Sequence, residues 1–144
     1  MANRRKQIIS QMVELLKDNL TGDSPYVTNV FDNVSGKQIF WDEVTDYPYI
    51  CVYSGSETRE YQASDFKWAF LTVNMRLYVN DEDSKDILEQ AFEDIENLID
   101  NNNNLVVNGS DLSTDIRLLS IADDEGLLNP LGVGEMTFEV RYEV

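Results

Sequence analysis

The sequence predicts an α+β fold: a mainly antiparallel or mixed sheet with two amphipathic helices packed on one face. Three observations carry this expectation. Lys67–Val79 and Val133–Val144 alternate apolar and polar residues with a period of two, as strands buried on one face do. Arg4–Asn19 and Ser84–Asn101 instead repeat apolar residues every three or four positions, as helices that bury one stripe do. The order, helix, short strands, long strand, helix, two strands, sets two helical stripes against one sheet. Its last part forms a β-α-β-β unit. At 144 residues the chain fits one domain over 1–144, large enough to bury a core without help from a disulfide or metal.

The first helix is expected over Arg4–Asn19, with Asn3 as its N-cap and Gly22 as its stop. Ile8, Ile9, Met12, Val13, Leu16 and Leu20 make its apolar stripe. Arg4, Arg5 and Lys6 stand at the end where the helix dipole disfavours cations, which suits a frayed solvated start or a contact with an acidic neighbour. Tyr26–Phe31 reads as a strand, 32–37 as a turn and Gln38–Phe40 as a returning hairpin arm. After the acidic, aromatic connection 41–47, Pro48 opens a strand over Tyr49–Tyr53 that Gly55 ends. Glu57–Gln62 reads as a further polar arm, and 63–65 as a turn.

The long strand follows, with Ala69, Leu71, Val73, Met75, Leu77 and Val79 on one face. Trp68, Phe70, Thr72, Asn74, Arg76 and Tyr78 lie on the other. Its thirteen residues exceed an ordinary strand, so it belongs at the centre of the sheet or projects beyond it. Asp81, Glu82, Asp83 and Asp86 crowd the start of the second helix, where anions are favoured. That helix carries Ile87, Leu88, Ala91, Phe92, Ile95, Leu98 and Ile99 at the clearest 3.6-residue period in the chain. The run 101–104 stops it, 105–107 docks on the core, and Asn108-Gly109 turns. Asp115–Ala122 is a strand. In the last strand Met136, Phe138, Val140, Tyr142 and Val144 face the core, while Glu135, Thr137, Glu139, Arg141 and Glu143 face away.

Composition narrows the function. With 27 acidic against 11 basic residues, the net charge of −16 opposes binding to phosphate backbones and to anionic membranes. A basic protein partner, or an assembly that needs salt or cations to close, remains open. No apolar run approaches the length of a membrane span, and the N-terminal stretch reads as helix rather than secretion signal. There is no histidine, so the usual zinc sites and histidine-based acid–base catalysis are excluded. Cys51, the single cysteine, has no histidine to activate it and reads as a small buried hydrophobe. Gly132-x-Gly134 precedes a strand pattern, not the helix a phosphate loop needs. No catalytic, cofactor or metal residues emerge.

The candidate partner residues are those with no third layer to cover them: Trp68, Phe70, Arg76 and Tyr78 on the outer sheet face. Trp, Tyr and Arg dominate interface energies when desolvated. A fold-over of the 57–62 arm or the 101–113 loop is the competing account. Asp123, Asp124 and Glu125 lack calcium-loop spacing and read as a turn, and they join the candidates as an exposed acidic loop.

Three stretches together resemble the tail terminator, or tail completion, proteins of long-tailed bacteriophages. Residues 39–61, I-F-W-D-E-V-T-D-Y-P-Y-I-C-V-Y-S-G-S-E-T-R-E-Y, match the family's acidic segment, strand-opening proline and Gly-x-Glu hairpin. Residues 68–79 resemble its long central strand, and residues 122–144 its acidic-glycine loop feeding a final strand. The resemblance implies an α+β subunit of a homo-hexameric ring in the virion, on the head-proximal end of the tail tube. Such a ring stops tube growth and offers a surface to the head's neck proteins, so tail tube protein and head-completion protein are the implied partners. It implies no cofactor. Another head–tail joining protein, a small acidic monomeric adaptor and a hydrolase using carboxylates alone stand as rivals.

Overall fold

The computed structural model describes residues 3–63, 65–107, 109–112 and 114–144. Ser64 and Asn108, each expected in a turn, lie outside the described residues. Helix α1 spans Arg4–Asn19 and is capped as expected: the Asn3 side chain accepts from the backbone N–H of Arg5 and Lys6. Strand β1 is Val34–Ser35, β2 Tyr49–Tyr61 and β3 Lys67–Asn80. Helix α2, Ser84–Asp100, leads through a small ribbon, β4 Val106–Val107 and β5 Ser110–Asp111, to β6 Asp115–Asp123 and β7 Leu131–Glu143.

The sheet has five strands in the order β1-β2-β3-β7-β6. Only β1–β2 is parallel, which makes the sheet mixed. Strand β3 is central and paired along nearly all its length, to β2 on one side and β7 on the other. Ala69, Leu71, Val73, Met75, Leu77 and Val79 are at most 2% exposed, as the alternation requires. They share one core with Ile8, Met12 and Leu16 of α1, Leu88, Ile95 and Leu98 of α2, and Met136, Phe138, Val140 and Tyr142 of β7. Each fully buried aliphatic side chain contributes about 1.5–3 kcal/mol of transfer free energy. Both helices thus cover one face, α1 above β2 and α2 above β3, β7 and β6. Val144, expected in the core, is half exposed.

Gly132 and Gly134, no phosphate loop, let α2 come close. A Cβ at Gly134 would lie 2.5 Å from Cζ of Phe92, and one at Gly132 2.8 Å from a methyl of Val79.

Several expected elements differ. Tyr26–Phe31 is not a strand. Its N–H groups turn to a side chain: the buried Asp94 carboxylate of α2 accepts from Val27 N, Thr28 N and the Thr28 hydroxyl, at 3.2, 2.9 and 2.6 Å. A single bridge, Thr21 to Asn29, is all its strand pairing. The arm expected at 38–40 is likewise irregular and precedes a short 3-10 turn, Trp41–Glu43. Gly55 does not end β2. The strand runs on through a bulge between Ser54 and Glu57 and absorbs the arm expected separately at 57–62. Room for the bulge comes from Gly55, where a Cβ would sit 3.3 Å from the Asn74 amide.

Candidate functional site

The outer sheet face is divided. At its Tyr78 end a third layer does exist, formed by the irregular 39–47 segment. Val44, Cys51 and Tyr78 are buried there, packed with Ile39, Tyr47, Tyr49, Tyr53 and Val133. Tyr78 is 2% exposed and donates its hydroxyl proton to the Ile39 carbonyl at 2.7 Å. Its expected surface position is therefore corrected: Tyr78 is an anchor for the cover. Among the described residues, neither the 57–62 arm nor the 101–113 loop supplies that cover. Cys51 lies beneath the same layer, where burial pushes its thiol up, away from the reactive thiolate. Burial also pushes the phenols of Tyr53 and Tyr78 up, against the pull of the Arg76 guanidinium. Arg76 lies at the rim, its side chain a quarter exposed and paired with Glu135 at 3.2 Å.

The other half of the face stays open. Glu60, Trp68, Phe70, Asp115, Arg117, Glu139 and Arg141 line a shallow cavity of about 220 Å³. The Arg141 guanidinium stacks 4.3 Å above the Trp68 ring, and Phe66 meets the same ring edge-on at 4.8 Å. Arg141 Nε is the buried side-chain nitrogen left without a hydrogen-bond partner among the described residues. Its neighbour Arg117 pairs with Asp115 at 3.3 Å.

The acidic loop is organised by its own carboxylates. Asp123 Oδ2 meets Lys85 Nζ of α2 at 2.7 Å, while Oδ1 accepts the Glu125 N–H. The Lys85 hydrogen bond, then that N–H, hold the Asp123 carboxyl below the usual carboxylate range. Asp124 accepts the Leu128 N–H, and Glu125 adopts the left-handed region at φ 56°. The tip beyond them carries Leu127, 84% exposed, and Leu128, 51% exposed. Residue typing missed both. Two adjacent leucines between Gly126 and Pro130, outside any periodic pattern, were the available sign.

Pairing rows place these groups. Asp123 lies in the row of Gly134 and Leu77, one residue from Arg76. Trp68 and Phe70 pair with Glu143 and Arg141 at the opposite end. Trp68 and Tyr78 are ten positions apart, so about 33 Å separates the ends. Arg76 and the acidic loop thus lie at one end of the sheet, Arg76 on the outer face with Glu135 and Asp123 turned to Lys85 of α2, and Trp68 and Phe70 stand at the other end. The basic cluster of α1 is partly used internally. Arg5 approaches Glu57 at 3.9 Å, and Arg4 donates to the Leu112 carbonyl at 3.0 Å. Among the described residues no three His, Cys, Asp or Glu side chains are grouped as a metal site, and no helix is long and apolar enough to cross a membrane.

Two helices on one face of a five-stranded mixed sheet make this an α+β subunit, with Cys51 and Tyr78 buried beneath the 39–47 cover on the other face. The chain belongs to the bacteriophage tail tube terminator proteins, whose family model matches residues 2–144. It is 33% identical over 152 aligned residues to tail tube terminator protein p142 of Escherichia phage T5, an alignment covering 98% of this chain and 94% of that one. Its fold also resembles a chain in the virion of a native gene transfer agent (GTA) particle. The TM-score is 0.54 at 10% identity, with 95% of each chain covered. This is a structural protein family of the virion tail, as the resemblance in residues 39–61, 68–79 and 122–144 implied.

Proposed function

We propose that copies of this chain close into a ring, a homo-hexamer, on the head-proximal end of the tail tube. There the ring ends tube growth and presents a surface to the neck proteins of the head. The family match over residues 2–144 carries this reading. The geometry supports it, because a terminator must touch the tube on one side and the neck on the other, and this subunit carries contact groups at two ends, Trp68 and Arg76 lying eight positions, about 26 Å, apart on β3. Trp68, Phe70 and Arg141 serve one contact. Arg76 with the loop of Asp123, Asp124 and Glu125 serves another, with Leu127 and Leu128 as its apolar tip. Tyr78 acts from behind, by holding the cover against β3. The net charge of −16 directs the chain to protein partners rather than to the packaged nucleic acid.

The test is tube assembly in vitro. Purified tube protein is polymerised with and without this protein, and lengths and end structures are read by electron microscopy. Capped tubes of limited length are expected, with a ring at one end whose mass corresponds to six copies. Unchanged tube lengths and bare ends count against the reading.

A further inference from the structure

The five-stranded sheet has two open edges. Strand β1 pairs with β2 only at Ile50 and Cys51, so the outer side of β2 from Val52 to Tyr61 carries no strand among the described residues. At the other end of the order, β6 has β7 on one side and no strand among the described residues on the other. Unpaired edges are templates for another chain, and neither strand contains a proline to block pairing. Both strands carry a bulge, which leaves Glu57–Tyr61 and Asp115–Leu118 as the straight stretches. These stand at the same level of the sheet. One row runs Thr58–Phe70–Arg141–Asp115, and the next Glu57–Leu71–Val140–Ile116.

The helical layer above the two edges carries opposite charge. Beside the β2 edge, α1 and the 36–38 segment enclose a groove of about 800 Å³ with Arg5, Lys6 and Lys37 on its walls and Glu14 as its acid. Beside β6, the flank of α2 and Ile121 form a groove lined by Asp86, Glu89, Glu93 and Glu96, with no base. The grooves also share a level. Tyr53 and Ser54 at the basic one pair with Asn74 and Val73, and Ile121 at the acidic one lies in the row of Met75, one or two residues along. In a chain of net charge −16, a basic groove at one edge and an acidic groove at the other make the two ends of a single subunit complementary.

We propose that copies of this chain join head to tail through these edges. Strand β6 of one copy lies beside β2 of the next, and the acidic groove of α2 faces the basic groove of α1. The inference rests on the ring reading and specifies its contact. Strands β2 and β6 run in opposite directions within the sheet, so successive copies add strands antiparallel and the sheet continues around the ring. A contact between different surfaces of identical copies is the kind that closes rings. The four charges chosen for the test have no ion-pair partner among the described residues: Lys6 and Lys37 at one edge, Glu93 and Glu96 at the other.

The test is a charge exchange. Lys6→Glu with Lys37→Glu makes both edges acidic, and Glu93→Lys with Glu96→Lys sets two bases against Asp86 and Glu89 and cancels the charge of the α2 groove. Each variant alone is expected to need about tenfold or more protein to assemble, because the first sets like charges against each other and the second loses the attraction between the grooves. An equimolar mixture is expected to regain rings of wild-type mass in analytical ultracentrifugation, since the two variants alternate around an even-numbered ring. Circular dichroism confirms that each variant is folded. Rings formed equally well by either variant alone, or a mixture that stays small beside wild-type rings, overturn the edge contact and leave the ring reading intact. A wild-type protein that stays monomeric at every concentration removes both.

Discussion

The approach of α2 to the sheet rests on a missing side chain, and replacing Gly134 with alanine tests it. The added Cβ would stand 2.5 Å from Phe92 Cζ, 2.8 Å from its Cε1 and 3.0 Å from Leu88 Cδ2. Real Cβ contacts do not come that close, so α2 or the Phe92 ring must move. Phe92 is 4% exposed and Leu88 is fully buried, so the ring can move only against packed neighbours or by edging into the groove beside Ile121. Overpacking of this kind costs about 1–3 kcal/mol. It opposes the gain of about 0.4–1 kcal/mol that a glycine-to-alanine change brings by restricting the unfolded chain. Overpacking wins, and at about 3–4 °C per kcal/mol for a chain near this size the melting temperature should fall by several degrees. Phe92→Leu removes the two atoms met first and costs about 1 kcal/mol alone. Combined with Gly134→Ala it should cost less than the sum of the two, with a coupling near 1 kcal/mol. Thermal and urea unfolding of the four proteins measures the cycle. A Gly134→Ala protein as stable as the wild type, or two changes that simply add, would refute the packing argument.

Other consequences follow from charge and burial. The Tyr142 phenol, which donates to the Glu57 carboxylate, is pushed up to about 12, first by burial and then by that bond. A folded value above the unfolded one, near 10, means that its stabilisation is complete below pH 10 and is lost as the pH rises towards 12. Tyr142→Phe should flatten that alkaline decline, and urea midpoints that fall just as steeply in the variant would count against it. Val73 is fully buried at the centre of β3, so Val73→Asp places a charge in the core and should cost several kcal/mol by thermal melting. Copies that each carry a net charge of −16 repel one another, and screening shortens to about 8–10 Å at physiological salt. Sedimentation should therefore shift from small to larger species as salt or Mg²⁺ is added, and a mass constant across ionic strength would speak against it.

What the sequence by itself determined is what repeats locally. The limits of α1, the length and facing of β3, the strand at β7 and the cap at Asn3 were legible because period and cap chemistry belong to consecutive residues. The absence of a histidine-based site was legible from composition alone. Tertiary structure decided where distant segments meet. Tyr78 and Trp68 share a strand face and look alike in the sequence. One is buried and the other is not because Ile39, 39 residues earlier, crosses the first and no segment among the described residues crosses the second. The expected strand at 26–31 failed for the same reason, since the N–H groups of Val27 and Thr28 were taken by Asp94 from a helix 66 residues away. Gly134 reads as a strand-weakening residue until Phe92 is set above it. The complementarity of the grooves was equally invisible. The basic groove draws Arg5, Lys6 and Lys37 from segments some 30 residues apart, which no window of the chain displays, whereas the acids of the other all lie on α2 and only folding sets Ile121 beside them.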